Sequence, residues 1–404
     1  MLRAGRRPAV LVGQGAYGAA AEVLDVVDRL GAGIATSLLG KPILDESLPF
    51  HCGVMGHLGT TAAADLLAAC DTLLIIGSSD PWTEFYPPVG QARTVQIDLA
   101  ARNLGAKYPV EVGLAGDTAE TLRALAPMFT AAPVPGPAPA PGREWRSQVE
   151  GMVASWHDVL DSRVHTTAEL LNPQLVVHEL SAHLPAGTQV AVDVGSVTYW
   201  YARFLRLGPD MPAHLSSTLA SMGSAMPYGL AAKLYRPDRP VVALAGDGSM
   251  QMNGLSELIT VAARWRQWAD PRFVVLVLHN GDLAEVSWEQ REVEGDPRSA
   301  RSLAVPTFPY AGYAELLGLR GLRIGAAREV GPAWRAAFAS DRPCLVEAVV
   351  DPDVPLLPPR QAEDDVTQTI RALRLEGNVT AAVQLRQQRR QEAHHPAAGR
   401  PGGP

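Results

Sequence analysis

Residues 241–280 read VVALAGDGSMQMNGLSELITVAARWRQWADPRFVVLVLHN. An apolar run stops at Gly246-Asp247-Gly248-Ser249, a helical pattern follows, and a second apolar run stops at His279-Asn280-Gly281-Asp282. Short apolar runs that end in turn residues read as buried strands of a parallel sheet, with the stretch between them as the crossover helix. The pattern predicts an aspartate and an asparagine side by side at one edge of that sheet. Such an arrangement suits a diphosphate held through Mg²⁺, a hard cation that takes a few oxygen ligands from protein and the rest from phosphate and water. The Asp247 carboxylate and the Asn280 amide oxygen supply two ligands, and a backbone carbonyl just beyond, at Asp282, a third. The amides of Gly248 and Ser249 open the next helix, where they and the helix dipole attract an anion. By itself, Asp-Gly after an apolar run is an ordinary strand-ending turn. The partner Asn280 and the segments upstream separate the two readings.

Working outward, residues 189–195 form another apolar run, ending Asp193-Val194-Gly195-Ser196, and residues 344–350 a further one. Residues 221–230, SMGSAMPYGL, are a small-residue segment that reads as a helix start. Towards the N-terminus, strands are expected at 8–13, 33–38, 72–77 and 94–98, and helices at 19–30, 61–69 and 144–162. Strands alternating with helices define an α/β chain with two doubly wound parallel-sheet domains. The expected boundaries are a central-type domain over 1–130, a Pro-rich linker and helix over 131–165, a diphosphate-binding domain over 166–358, and a tail over 359–404. The linker, residues 131–142, reads AAPVPGPAPAPG, whose prolines favour an extended form. The tail is expected to carry one helical stretch, residues 362–391, and a Pro/Gly end. Arg386, Arg389 and Arg390 lie on that stretch, which reads either as a solvated basic helix or as a membrane-associating amphipathic one.

With 404 residues, 47% of them hydrophobic, the chain is long enough for two or three domains with real cores. A net charge of −7 gives no reason to expect nucleic acid as a partner. Cys52, Cys70 and Cys344 stand far apart in apolar segments, as reduced core residues of a cytoplasmic protein do. The basic start, MLRAGRR, lacks the apolar core of a signal peptide, and no apolar stretch is long enough to span a bilayer. Gly13-Gln14-Gly15-Ala16-Tyr17-Gly18 fits the dinucleotide fingerprint G-x-G-x-x-G. That fingerprint also requires an acidic residue at the end of the second strand, where this chain has Ile34-Ala35-Thr36-Ser37-Leu38. A nicotinamide-dependent dehydrogenase is therefore the weaker reading, and the glycines are expected to permit a tight strand-to-helix turn.

At Gly246-Asp247-Gly248 and Asn280, the chain resembles the thiamine-diphosphate-dependent enzymes, in the pyruvate oxidase and acetolactate synthase branch. It departs from them in a longer interval, with a short insertion at residues 265–270, and in His279, where many relatives have a second Asn. The resemblance implies that Ser196, Val197, Ala220, Ser221, Met222, Asp247, Gly248, Ser249, Asn280, Asp282, Leu283 and Ala284 contact thiamine diphosphate, and that Asp247, Asn280 and Asp282 hold Mg²⁺. In the family, a bulky apolar side chain at the Met222 position props the cofactor into its bent shape. Ser196 reads equally as an ordinary turn serine, and Met226 as a core residue. Residues 283–290, LAEVSWEQ, would border the substrate.

Residues 6–129 are similar to the central domain of the same branch. In flavin-using relatives the segments matching Met55, Gly56, His57 and Leu58, then Ser78, Ser79, Asp80 and Pro81, then Asp98, lie along FAD. The alternative is that the glycines are turn residues and Asp98 caps the element after it. The family's catalytic glutamate lies on an N-terminal pyrimidine-binding domain, and no glutamate here matches its motif. The sequence thus starts at an internal methionine, or works with a separate polypeptide carrying that domain, or is a non-catalytic cofactor-binding remnant. The resemblance implies a homo-oligomer that decarboxylates pyruvate or a similar 2-oxo acid, as an oxidase or a carboligase.

Overall fold

The computed structural model describes residues 1–130, 143–360 and 363–393. The expected linker at 131–142 and the Pro/Gly end lie outside the described residues. The chain forms two compact units. One is Met1–Val159 with Pro358–Arg360, and the other is Leu160–Leu357 with the described part of Gln361–Ala393.

The first unit contains a six-stranded sheet of β1 (Pro8–Val12), β2 (Gly33–Thr36), β3 (His51–Val54), β4 (Thr72–Ile76), β5 (Arg93–Asp98) and β6 (Val112–Ala115). Every pairing is parallel, in the order β3-β2-β1-β4-β5-β6. β1 and β4 are buried along their whole length, which is why they read as unbroken apolar runs. The helix Ala20–Leu30 buries Val23, Val26, Val27 and Leu30 on one face and ends at Gly31, whose φ of +63° favours glycine.

The second unit repeats the architecture with β7 (Gln189–Val192), β8 (Ala213–His214), β9 (Val241–Gly246), β10 (Phe273–His279), β11 (Arg320–Ile324) and β12 (Cys344–Val349). This sheet is also all parallel, in the order β11-β12-β10-β9-β7-β8. The chain is thus α/β with two doubly wound parallel sheets. β3, β6, β8 and β11 were not expected from the sequence. All four are sheet edges, and β6, β8 and β11 are short, exposed or charged, so they carry no apolar run.

The tail corrects the expectation of a single helix over 362–391. It forms two helices, Glu363–Glu376 and Val379–Ala393. Gly377 sits at φ +67°, Asn378 N donates to Leu373 O at 2.9 Å, and the Asn378 side chain accepts from Ala381 N at 2.9 Å. A left-handed glycine stops the first helix and an asparagine caps the next. Leu373, Ala381 and Leu385 are buried, whereas Arg386, Arg389 and Arg390 are exposed.

Candidate functional site

In the second unit the chain runs outward from β7 to β8 and then returns to the other side of β7 as β9. A doubly wound sheet leaves a crevice at such a reversal, outside the carboxyl ends of the strands. Asp193 leaves β7 there and Asp247 leaves β9. Leu278 pairs with Gly246 in the ladder, so Asn280 emerges from β10 next to Asp247.

Asp247 is buried, 2% exposed. Its Oδ2 accepts from Asn280 N at 3.1 Å and Gly281 N at 2.6 Å, and its Oδ1 accepts from Gly248 N at 2.9 Å. Burial pushes its carboxyl up, against those amides and the charge of His279, which favour the ionised form. The carboxylate therefore ties the end of one strand to the loop of the next. The Gly248 amide, expected to face a phosphate, here donates to Asp247. Asn280 Oδ1 accepts from Asp282 N at 3.0 Å. The Asp282 carboxylate is committed to Arg298 and to Ser287 Oγ, the latter at 2.7 Å, which leaves its backbone carbonyl as the atom available to a cation. Among the described residues, no three of His, Cys, Asp and Glu gather as a metal cluster. The donor set here is one carboxylate, one amide oxygen and a carbonyl, which fits a hard cation completing its shell with phosphate and water.

Met222 and Leu283 approach the same point. A Cβ added to Gly248 would lie 2.8 Å from Leu283 Cδ2 and 3.6 Å from Met222 Cε, so any larger residue would have to displace the Leu283 side chain. Ala220 has φ +49° and Gly223 φ +78°, a left-handed pair that turns the chain around the half-buried Met222. Ser221 N donates to Ser216 Oγ at 3.2 Å. Ser196 and Val197 open the helix Ser196–Phe204 after Gly195, whose φ of +133° only glycine adopts readily. Ser249 is buried in the first helical turn after β9. Ser196, Trp200, Asn280, Ala284 and Asp351 line a small cavity at the ends of β7, β10 and β12.

Several residues of this edge were missed. Asp193 accepts from Gly223 N at 2.8 Å and Ala225 N at 3.1 Å and so fixes the Met222 turn. Its position directly after an apolar strand, two residues before Gly195, was a signal close to that of Asp247 before Gly248. Tyr310 donates from its hydroxyl to Asp247 O at 3.1 Å and packs edge-on against His279, which pairs with the buried Glu347 at 2.9 Å. Glu285, on the helix Ala284–Glu289, has its carboxyl pushed up to about 7 by burial and then by Glu289. No local pattern marks Tyr310, whereas Glu285 lies within residues 283–290, the segment expected to border the substrate.

In the first unit the reversal lies between β1 and β4. There Gly15 N donates to Gly77 O at 2.9 Å, and a Cβ on Gly15 would come 2.7 Å from Gly77 Cα. Gly13 and Gly15 are used in close packing against Gly77 and Ser78, and Gly18 takes a left-handed turn at φ +79°, as a tight strand-to-helix turn requires. Met55, Gly56, His57 and Leu58 follow β3; Ser78, Ser79, Asp80 and Pro81 follow β4; Asp98 ends β5. Trp82 closes over Gly56 and lies 4.5 Å from the His57 ring, while His57 pairs with Glu84 at 2.9 Å. Asp98 Oδ1 accepts from Ala100 N at 2.8 Å and so caps the turn after β5. Asp80 is pushed up to about 6 by burial, against the Trp82 amide. Buried Thr36 Oγ1 and Ser78 Oγ, at the ends of β2 and β4, have no hydrogen-bond partner.

Two parallel α/β units, one presenting an acid and an amide at the ends of adjacent central strands, define the class of proteins that hold a phosphorylated cofactor in strand-end loops. The chain belongs to the thiamine pyrophosphate enzyme family: the family's central domain matches residues 1–125 and its C-terminal TPP binding domain matches residues 193–348. The chain is similar to the Bacillus subtilis (strain 168) thiamine pyrophosphate-containing protein YdaP, at 30% identity over 87% of this chain and 58% of that one. It is similar to the acetolactate synthase large subunit of Corynebacterium glutamicum, at 29% identity over 87% of this chain and 56% of that one. It is also similar to the sulfoacetaldehyde acetyltransferase of Alcaligenes xylosoxydans xylosoxydans, at 25% identity over 86% of this chain and 61% of that one. The chain thus spans about six tenths of the length of these relatives.

Proposed function

We propose that the second unit binds thiamine diphosphate through Mg²⁺ and serves a 2-oxo acid decarboxylating enzyme, an oxidase or an acetolactate-synthase-like carboligase. The observation that carries this reading is the meeting of Asp247 and the Asn280 loop at adjacent strand ends, with Met222 and Leu283 closing on Gly248 beside them. Asp247, Asn280 and the Asp282 carbonyl would hold the cation, and Ser196, Val197, Ala220, Ser221, Ser249, Leu283 and Ala284 would surround the cofactor. Bound thiamine diphosphate supplies a nucleophilic thiazolium carbon and an electron sink for decarboxylation. Asp247 keeps a negative charge at the cation and draws in Asn280 and Gly281. Met222 and Leu283 exclude water beside Gly248. The proton-managing glutamate of the pyrimidine-binding domain has no counterpart among the residues assigned here, so catalysis calls for that domain, and a homo-oligomer fits a site completed between chains. The relatives named above include an acetolactate synthase and a sulfoacetaldehyde acetyltransferase, so the acceptor must be found by assay. The buried free cysteines fit the reducing cytoplasm.

FAD in the first unit is supported by the orphaned Ser78 hydroxyl, which a bound nucleotide would satisfy once Trp82 swings off Gly56. Calorimetry of the purified chain with thiamine diphosphate, with and without Mg²⁺, tests the main reading. Binding is expected only with Mg²⁺, and Asp247→Ala should abolish it. Unchanged binding in that variant would sink the metal assignment, and a flavin spectrum in the same preparations would favour the oxidase. Binding of cofactor without release of CO₂ from pyruvate, even with the pyrimidine-binding domain supplied, would favour a non-catalytic subunit.

A further inference from the structure

The first tail helix, Glu363–Glu376, lies against the segment that follows the proposed metal loop, and it does so through charge. Glu376 Oε1 accepts from Arg291 Nε at 2.9 Å, and its Oε2 accepts from Arg291 Nη2 at 2.8 Å. Arg291 is only 2% exposed, and its guanidinium sits 4.7 Å over the Trp288 ring. Asp353 lies 3.7 Å from the same guanidinium, so Arg291 is a buried charge held between two carboxylates, with Glu376 the nearer. The same Glu376 Oε1 also accepts from the backbone amide of Arg298 at 2.6 Å. That bond fixes where the Arg298 side chain starts. Its guanidinium then reaches Asp282 Oδ1, at 2.8 Å from Nε and 2.7 Å from Nη2. Asp282 Oδ2 accepts from Ser287 Oγ, and the Asp282 amide donates to Asn280 Oδ1. Three hydrogen-bonded contacts, joined through the covalent lengths of Arg298 and Asp282, therefore connect the Glu376 carboxylate to the amide oxygen of Asn280 beside Asp247.

We propose that Glu376, anchored by Arg291, is a positioning residue for the cofactor loop, acting through Arg298 on Asp282, so that docking of the helix Glu363–Glu376 and binding of the diphosphate–metal pair are thermodynamically linked. The inference rests on the site assignment of the preceding section. Ordering a loop at the moment of binding costs affinity, and a loop already held by Arg298 avoids that cost. Linkage is reciprocal, so the ligand must stabilise helix docking by the factor by which docking raises affinity.

The test combines calorimetry with hydrogen exchange on the full chain, using thiamine diphosphate and Mg²⁺ as the probe. In the wild type, peptides over residues 363–376 should gain protection when the probe binds. Glu376→Gln, which keeps the shape and removes the charge, should weaken Mg²⁺-dependent binding about tenfold and abolish that gain. Glu363→Gln, on an exposed position of the same helix, should change neither. A merely structural role would lower the melting temperature of Glu376→Gln yet leave the ligand-induced gain in place. Equal affinity in Glu376→Gln, or binding that leaves the helix unchanged, overturns the proposal while the site assignment stands. A wild type that binds no thiamine diphosphate with Mg²⁺ overturns both. If Glu376→Gln does not fold, Arg298→Gln cuts only the last link; it should show the same loss of affinity, and unchanged affinity would overturn the proposal.

Discussion

At the scale of single residues, Glu285 is the group whose ionisation most distinguishes this site from an inert strand edge. It follows the metal loop directly, and burial against its own charge holds its carboxyl near 7 rather than at the usual 4.5. Its folded pKa lies above its unfolded one, so the folded state binds the extra proton between those two values. Its contribution to stability is fully present below about 4.5 and is lost as pH rises through about 7. Glu285→Gln should therefore match the wild type in stability near pH 5 and exceed it near pH 8, by on the order of 2 kcal/mol. Urea denaturation at the two pH values checks this, and a difference that does not change with pH would refute it. The residues that could be read from sequence were those with a backbone signature. Asp247, Gly248 and Asn280 stand at strand ends and in turns, whereas Glu285 owes its property to the packing around it.

At the scale of elements, the tail shows how two local signals can be read as one pattern. A helix over 362–391 and a pair of helices broken at Gly377-Asn378 make opposite predictions for Gly377→Ala. In a continuous helix the substitution would stabilise by about 1 kcal/mol, because glycine is a poor helix former. With Gly377 at φ +67°, alanine should instead cost roughly 1–2 kcal/mol. The midpoint of urea unfolding followed by circular dichroism decides the sign. The Gly-Asn pair was visible in the sequence, and the apolar spacing on either side masked it. The edge strands escaped for a different reason. β8 is two residues long and β11 is RGLRI, so sheet pairing defines them, not a hydrophobic run.

For the whole molecule, the net charge of −7 and the absence of a long apolar helix among the described residues leave the exposed apolar side chains as the notable surface feature. Tyr228 and Tyr235 stand two turns apart on the helix Ala225–Tyr235, and Met252 and Ile259 two turns apart on the helical segment after β9. Tyr235 is 83% exposed and Met252 67%. Large apolar side chains exposed at helical spacing are candidates for an association site. Analytical ultracentrifugation should find a dimer or larger assembly, and Tyr235→Asp combined with Ile259→Asp should shift it to monomer with an unchanged circular dichroism spectrum. A wild-type monomer at micromolar concentration would count against the self-association reading.

The sequence by itself determined the α/β class, the places of the buried strands along the chain, and the aspartate and asparagine that follow β9 and β10. Those features are written locally, because a strand buried on both faces must be apolar throughout and must stop at turn residues. The tertiary structure alone decided that Met222 meets Gly248, that Asp193 holds the turn between them, and that Tyr310 supports Asp247. It alone decided that Glu376 reaches Arg291 across 85 residues. A charged side chain carries no record in the sequence of which opposite charge it will meet. That choice is made only when packing brings segments distant in sequence within a few ångströms.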